Sequence, residues 1–406
     1  MTNVVFVAPF SFDTTLRFLD AAAAHPGSRL ALVSQDPPEK FPTQVRQRLA
    51  GHWQVGNALD AGQLAAAVRS IAAAMGPVER LLGTLEQLQV ALARAREDLG
   101  IEGMGVEAAE CFRDKARMKD VLRAAGIACA RHRLIADAGD ARSFVAEVGY
   151  PIVVKPPAGA GAVATFSVGD DAALEEVLRR TPPHRSRPLL AEEFIRGEEH
   201  SFDGVSIDGE LAWHSLTRYL PGPLEALQNP WIQWCVLLPR EVDEARYDDI
   251  RREAARALDA LGMVTGVSHL EWFRRADGSI AISEVGARPG GAQISKLISY
   301  AHDVSFYRVW ARVMIDGAFD RPERRYAAGA AFLRGQGRGR VKAIHGLDLA
   351  QRDLGALVVE AQLPRPGQLP SSSYEGDGYV ILRHPETRAV EEALRRLIST
   401  VRVELG

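Results

Sequence analysis

Cysteine is scarce in this chain of 406 residues: Cys111, Cys129 and Cys235 are odd in number, scattered and without metal-ligand spacing. That excludes a disulfide scaffold and a zinc motif, and fits reduced thiols in a cytoplasmic protein. None is a candidate nucleophile. Long hydrophobic runs are also missing, since no stretch reaches the ~20 apolar residues that a membrane helix needs. The opening "MTNVVFVAPFSFD" lacks a basic region before its apolar part, so it reads as a first strand and not as a signal peptide. Net charge is close to absent too. The 49 basic and 52 acidic residues leave −3, which gives no electrostatic reason to expect nucleic acid or a membrane surface as a partner. Lysine itself is rare: Lys40, Lys115, Lys119, Lys155, Lys296 and Lys342 stand among 49 basic residues. Where arginine is the default surface cation, a lysine in an ordered element more often has a specific partner.

What is present is an ordinary globular composition, 47% hydrophobic and 25% charged, with enough chain for two or three domains. Up to about residue 110, short apolar runs alternate with helical patterns. "VVFVAP", "LALVS" and "VERLLGT" read as strands, and "TTLRFLDAAAA" and "AGQLAAAVRSIAAAM" as helices. Thr84 to Gln87 has the form of a capping box ahead of a helix that Gly100 ends. Strands alternating with helices argue a doubly wound parallel sheet, Rossmann-like in character. No G-x-G-x-x-G follows the first strand, so a dinucleotide site is not expected. Asp114 caps the helix "KARMKDVLRAA", which Gly126 closes. Then come "PIVVK", a Gly/Ala-rich loop and a second strand. "RPLLAEEFIRGEEHSFDGVSIDGELAWHSL" reads as an antiparallel meander, and residues 217–239 as a loop-rich aromatic segment before a long helix. From about residue 317, "RYAAGAAFLRG", further strands and a final helix complete the chain.

The segment "HLEWFRRADGSIAISEVGARPGG" holds two short strands around Asp277-Gly278, a signal for a two-residue hairpin turn. That turn pairs residues whose numbers sum to 555, which sets Glu271 opposite Glu284, roughly 5 Å apart at Cβ. Like charges there are destabilising, and a hard divalent cation resolves the repulsion because Mg²⁺ takes carboxylate oxygens and completes its shell with phosphate and water. Alternatively one glutamate is protonated, or both splay into solvent. Lys155 ends "PIVVK" just before "PPAGAGA", where small residues let backbone N–H groups approach a phosphate; a plain flexible connection is the competing reading. Lys115 sits at a helix N-terminus, where the dipole disfavours a cation by a few tenths of a kcal/mol, which suggests a partner such as phosphate. "LLAEEFIRGEEHS" ends an apolar run in paired acids whose backbone could meet a purine edge, or which could be a plain acidic strand edge.

In this order, these features resemble the ATP-grasp superfamily. The pattern runs Arg113-Asp114-Lys115…Met118…Leu122…Gly126-Ile127, "GYPIVVKPPAGAG", "LLAEEFIRGEEHSFDG" and "HLEWF…DG.I.ISEVGARPGG", over roughly residues 110–315. The resemblance implies an α/β protein, α+β in its ATP-grasp region. Residues 1–110 would form a Rossmann-like pre-ATP-grasp domain and 111–315 a two-lobed ATP-grasp domain, divided at 189/190. Residues 316–406 would be an α+β extension packed on it, resembling the C-terminal domain of the amino-acid-ligase branch. It further implies that Lys115 and Lys155 contact ATP phosphates under the 158–163 loop with Gly159 and Gly161. Glu192, Glu193 and the backbone at Phe194 and Ile195 would hold adenine, and Glu199 the ribose hydroxyls. Glu271 and Glu284 would bind Mg²⁺, with Mn²⁺ as a substitute, and Arg288 would neutralise the phosphate or acyl phosphate and stabilise an oxyanion.

Two departures stand out. Gly286 replaces the Asn usual two positions after the second metal glutamate, and the loop "AGAGA" lacks a serine. The reaction implied is carboxylate–amine ligation through an acyl phosphate, with small-molecule carboxylate and amine as partners, a homodimer being compatible with the chain. The 218–235 segment, with Tyr219, Trp231 and Trp234, would line an aromatic pocket or simply pack on the core. A biotin-carboxylase-like enzyme using bicarbonate and a decayed ATP-binding protein are the alternatives.

Overall fold

The computed structural model describes residues 1–159, 164–229 and 231–406. Its first sheet is wholly parallel. Thr2–Val7 lies between Ser28–Ser34 and Arg80–Leu82. The continuous apolar run "VVFV" is buried on both faces, as a parallel strand covered by helices requires. Val4 and Phe6 enter a core shared with helices Asp13–Ala23 and Phe306–Asp316, while Val5 and Val7 enter one shared with Ala61–Met75 and Gln89–Leu99. A fourth strand, Gly51–Gln54, extends the edge. Its "GHWQ" is largely exposed and has no apolar pattern to announce it.

The capping box at Thr84 does not form. A 3₁₀ turn, Glu86–Leu88, precedes helix Gln89–Leu99 with no side-chain cap, and the Gln89 amide donates instead to the Gly83 and Leu85 carbonyls at 3.2 and 3.1 Å. Gly100 does end the helix in the left-handed region, at φ 65°.

A small antiparallel sheet follows, in the order His132–Ile135, Leu189–Glu193, Ile152–Lys155, Phe166–Val168. Helices Ala138–Val148 and Asp171–Arg180 cover one face. Strand alternation then sends Ile152 and Val154 into that core and leaves Val153 and Lys155 on the opposite face. Leu189–Glu193 therefore belongs to this lobe, not to a meander with the strands that follow it, and the expected division at 189/190 cuts through the strand.

The second lobe is an eight-stranded antiparallel sheet. Ile280–Gly286 is its edge, followed by Gly266–Arg274, Glu198–Ile207, Glu210–Leu220 and Cys235–Leu238. Ala327–Leu333, Gly378–His384 and Val358–Gln362 continue the same sheet. The residues after 315 thus share a sheet and a core with those before: Phe332 and Ile381 pack in one cluster with Phe6 and Trp310. The 217–239 segment is more regular than its composition suggests, with a helix at Pro223–Gln228 between two strands. Helix Ile294–His302, also unannounced, covers this sheet with Phe306–Asp316.

Candidate active site

The opposed glutamates form as the hairpin arithmetic requires, by a different route. Glu271 pairs with Glu284 across the strands. The turn is a three-residue loop, not a two-residue one: the Arg275 N–H donates to the Ser279 carbonyl at 2.8 Å and the Gly278 N–H to the Arg275 carbonyl at 3.0 Å, with Gly278 at φ 83°. This moves the register by one, so that Trp272 faces Ile282. A bulge at Ser283 then inserts one residue and restores the Glu271–Glu284 pair. The Ser283 carbonyl so displaced accepts from the buried Lys119 ammonium.

Both glutamates face a cavity of about 770 Å³ between the small sheet and the large one. Lys115 enters it from the helix Lys115–Ala124, whose first turn is capped by Asp114 accepting from the Ala116 and Arg117 N–H groups. Its ammonium lies 2.8 Å from Glu284 Oε1 and donates to the Gly159 carbonyl at 2.9 Å. Lys155 Nζ is 2.9 Å from Glu192 Oε2, and Lys119 Nζ is 3.2 Å from Glu192 Oε1. Burial alone would raise the Glu192 carboxyl, but the two lysines overcome it and hold it down at about 2.

The other expected nucleotide contacts are placed unevenly. Glu192, expected against adenine, has its carboxylate consumed by the two lysines. Glu193 turns its carboxylate away to Arg131, bonding both its N–H at 2.9 Å and its Nε at 2.6 Å. The Phe194 N–H already donates to the Pro151 carbonyl at 3.3 Å. Ile195 and Gly159 line the cavity; Gly161 lies outside the described residues. Glu199 opens onto the cavity, close against Gly222, where a Cβ would come within 2.4 Å of its Oε2. Burial, then the negative charge of Glu271, pushes Glu199 well above the usual carboxylate range; Lys155 pulls against them, and Glu284 adds a smaller push.

Arg288 is held by a residue of the first domain. Its Nη2 and Nε lie 3.0 and 3.3 Å from Glu86 Oε2, and Glu86 Oε1 takes Arg113 at 2.9 Å. His269 is a second residue that the sequence reading passed over. Burial would drive it neutral, but Asp203, 2.8 Å from its Nδ1, outweighs that and holds the ring up to about 9. Gly290 passes over this pair so closely that a Cβ would sit 2.8 Å from both partners. Tyr219 and Trp234 line the cavity as expected, joined by the unforeseen Tyr374 from the C-terminal region, whereas Trp231 is 66% exposed and lines nothing.

A parallel α/β domain joined to two antiparallel lobes, with lysines and facing glutamates at the cleft between them, defines an ATP-grasp architecture. Residues 120–293 match the ATP-grasp domain family, and the chain carries that domain. Among sequence relatives, it is 26% identical over 238 residues to the L-arginine-specific L-amino acid ligase of Bacillus subtilis, covering 57% of each chain. It is 28% identical over 200 residues to the alanine–anticapsin ligase of Bacillus subtilis (strain 168), covering 44% of this chain and 42% of that one. The chain thus spans about half the length of these curated relatives. Among solved structures, the L-amino acid ligase from Bacillus licheniformis aligns with a TM-score of 0.77 at 21% identity, over 100% of this chain and 99% of that one. The N5-carboxyaminoimidazole ribonucleotide synthetase from Thermotoga maritima gives 0.72 at 18%, over 100% of both chains. These likenesses are of fold. No helix among the described residues is long and apolar enough to cross a membrane.

Proposed function

We propose that this protein is an ATP-dependent carboxylate–amine ligase that joins amino-acid-type substrates through an acyl phosphate, releasing ADP and phosphate. One observation carries the reading. Fixed cations (Lys115, Lys155, Arg288) and carboxylates (Glu199, Glu271, Glu284) converge on a single cavity. Phosphoryl transfer needs positioning and charge neutralisation more than covalent help from the protein.

The residues fit a magnesium ion. Glu271 and Glu284 offer hard oxygen donors at 29% and 21% side-chain exposure, and Glu284 already holds a cation, the Lys115 ammonium. Two protein carboxylates suit a metal that keeps water and phosphate in its shell. Bound there, magnesium would supply charge neutralisation at the transferring phosphoryl group.

The chain's own residues do the rest. Lys115 and Lys155 hold phosphate oxygens, and Glu199 takes the ribose. Ile195 offers its backbone to adenine beside the Glu193 backbone. Glu192 belongs less to adenine than to Lys155, which it fixes in place. The substrate carboxylate attacks the γ-phosphorus as the bond to the ADP oxygen breaks. The amine then attacks the acyl carbon, Arg288 faces the oxyanion, and phosphate leaves as the amine gives up its proton.

The test is a phosphate-release screen of carboxylic acids and amines, singly and in pairs, with Mg-ATP. Release is expected to require a carboxylate and to rise with an added amine. Glu284→Gln is expected to cut it at least ~100-fold, a barrier change of about 2.7 kcal/mol. Release indifferent to every carboxylate counts against the ligase.

A further inference from the structure

One end of the cavity is walled by rings. Tyr219 and Trp234 have centroids 5.7 Å apart, and Trp234 meets Tyr374 edge-on at 4.7 Å and 73°. Phe332 stacks behind Trp234 at 5.0 Å and 24°, which fixes the indole plane. The indole N–H is already donated to the Pro221 carbonyl at 2.8 Å, so it offers a ligand only its apolar surface. Ala292 and Ile294 complete this end with no polar side-chain atom, and both are buried in the same apolar cluster as Tyr219 and Trp234.

This end adjoins the reacting centre. Tyr219 lies within the field of Glu271, Asp203 and Glu199, and Tyr374 within that of Glu375, Glu271 and Arg288. Tyr374 is also held in place by its neighbour. The largely buried Glu375 carboxyl accepts from the Ala292 N–H at 3.3 Å and the Gln293 side-chain amide at 3.4 Å. Ala292 and Gln293 are both left-handed, at φ 50° and 58°, conformations that non-glycine residues keep only when the surroundings hold them. A C-terminal segment and a strained turn after Arg288 therefore brace each other, with the Tyr374 ring as the wall they present.

We propose that this end receives the side chain of one amino-acid substrate and selects a large apolar one, aromatic or branched aliphatic. This rests on the ligase reading. Aromatic walls also attract cations, but Trp234 is 1% exposed and Tyr219 7%, and the nearby acids are engaged elsewhere, Glu375 by the turn and Asp203 by His269 at 2.8 Å, while Glu271 faces the reacting centre. An ammonium or carboxylate buried here loses its water with no fixed partner supplied in return, whereas an apolar side chain gains by the same burial.

The test is isothermal titration of the full chain, with Mg-ADP present, against L-phenylalanine, L-leucine, L-lysine, L-arginine and L-aspartate. Phenylalanine and leucine are expected to bind at least about tenfold tighter than the three charged amino acids. Tyr374→Ala is expected to weaken phenylalanine about tenfold, and Tyr374→Phe to leave it unchanged, since the ring and not the hydroxyl is the wall. A charged amino acid binding as tightly as phenylalanine, or no binding by either apolar one, overturns the pocket; the wild-type comparison needs no variant to fold. Phenylalanine binding as expected, with no phosphate released by any acid, keeps the pocket and removes the ligase chemistry. Release driven equally by aspartate and phenylalanine does the reverse.

Discussion

Glu192 and Glu199 stand seven positions apart in the sequence and face one cavity, and their surroundings shift their carboxyls in opposite directions. Glu192 has a lysine on each oxygen and is held at about 2. Among the described residues no cation bonds to Glu199, which faces Glu271 and Glu284 and is pushed upward. The first sits in a buried cluster of one carboxylate and two ammonium groups formed within the protein. The second lies beside two further carboxylates, of which Glu284 is bonded to Lys115. Environments that drive two carboxyls apart are how a site assigns different tasks to the same chemistry. Here one glutamate fixes Lys155, the lysine proposed to bind phosphate, and the other faces the cavity.

The largest effect that separates them is on stability. Glu192→Gln leaves Lys119 and Lys155 facing each other without their shared anion, and removing one partner of a buried cluster costs about 3–5 kcal/mol. Denaturant unfolding at pH 7 reads this directly. Because the folded value is depressed, the stabilisation is present above the ordinary 4.5 and is lost as pH falls toward about 2. The wild-type and variant midpoints should therefore converge over that window. A gap at pH 7 below about 1 kcal/mol, the range of an exposed pair, would remove the cluster from the account of the fold.

Glu199→Gln should do the opposite. A carboxyl whose folded value exceeds its unfolded one costs stability once pH passes the unfolded value, so the amide should be as stable as the wild type at pH 7, or slightly more so. What it should lose is nucleotide: about tenfold in ATP affinity, the scale of one hydrogen bond to a charged group. Calorimetric titration measures it. A destabilisation matching that of Glu192→Gln would mean that the two glutamates do not differ in the way described.

The legibility of the site follows the same division. Lys115, Lys155, Glu271 and Glu284 could be singled out because each sits in a local pattern of cap, strand end or hairpin, whereas Arg288 came only from the resemblance to the ATP-grasp superfamily. The Glu271–Glu284 pair was reached through two compensating shifts, a longer turn and a bulge, neither of which alternation alone can locate. Lys119 was named only as one of six lysines and given no role, although it stands four positions after Lys115 and so on the same helix face. Glu86 had no local signal at all, since it meets Arg288 from 202 positions away. Tyr374 was hidden in "SSSYEGDG", a turn-like run whose burial depends on Trp234 and Phe332. The sheet membership of Leu189–Glu193 and the continuation of the large sheet past residue 315 were illegible for a related reason. An apolar strand looks the same whichever neighbour it pairs with.

The metal side of the site can also be probed by design, which is the smallest effect and the finest test. Gly286 stands opposite His269 on the strand that carries Glu284. A Cβ there would find Arg288 Cγ at 3.6 Å, Arg288 Nε at 3.7 Å and the His269 carbonyl at 3.8 Å, ordinary contact distances, and the backbone is not left-handed. Nothing steric therefore prevents Gly286→Asn, which returns the amide oxygen that the resemblance to other ATP-grasp chains leads one to expect. One added oxygen ligand is expected to lower the Mg²⁺ concentration for half-maximal phosphate release by about three- to tenfold, while stability in the absence of metal stays level. If the magnesium requirement does not move, the metal is held entirely on the Glu271 and Glu284 side, and the missing asparagine marks a one-metal site. If stability falls without metal, Gly286 was kept for the backbone.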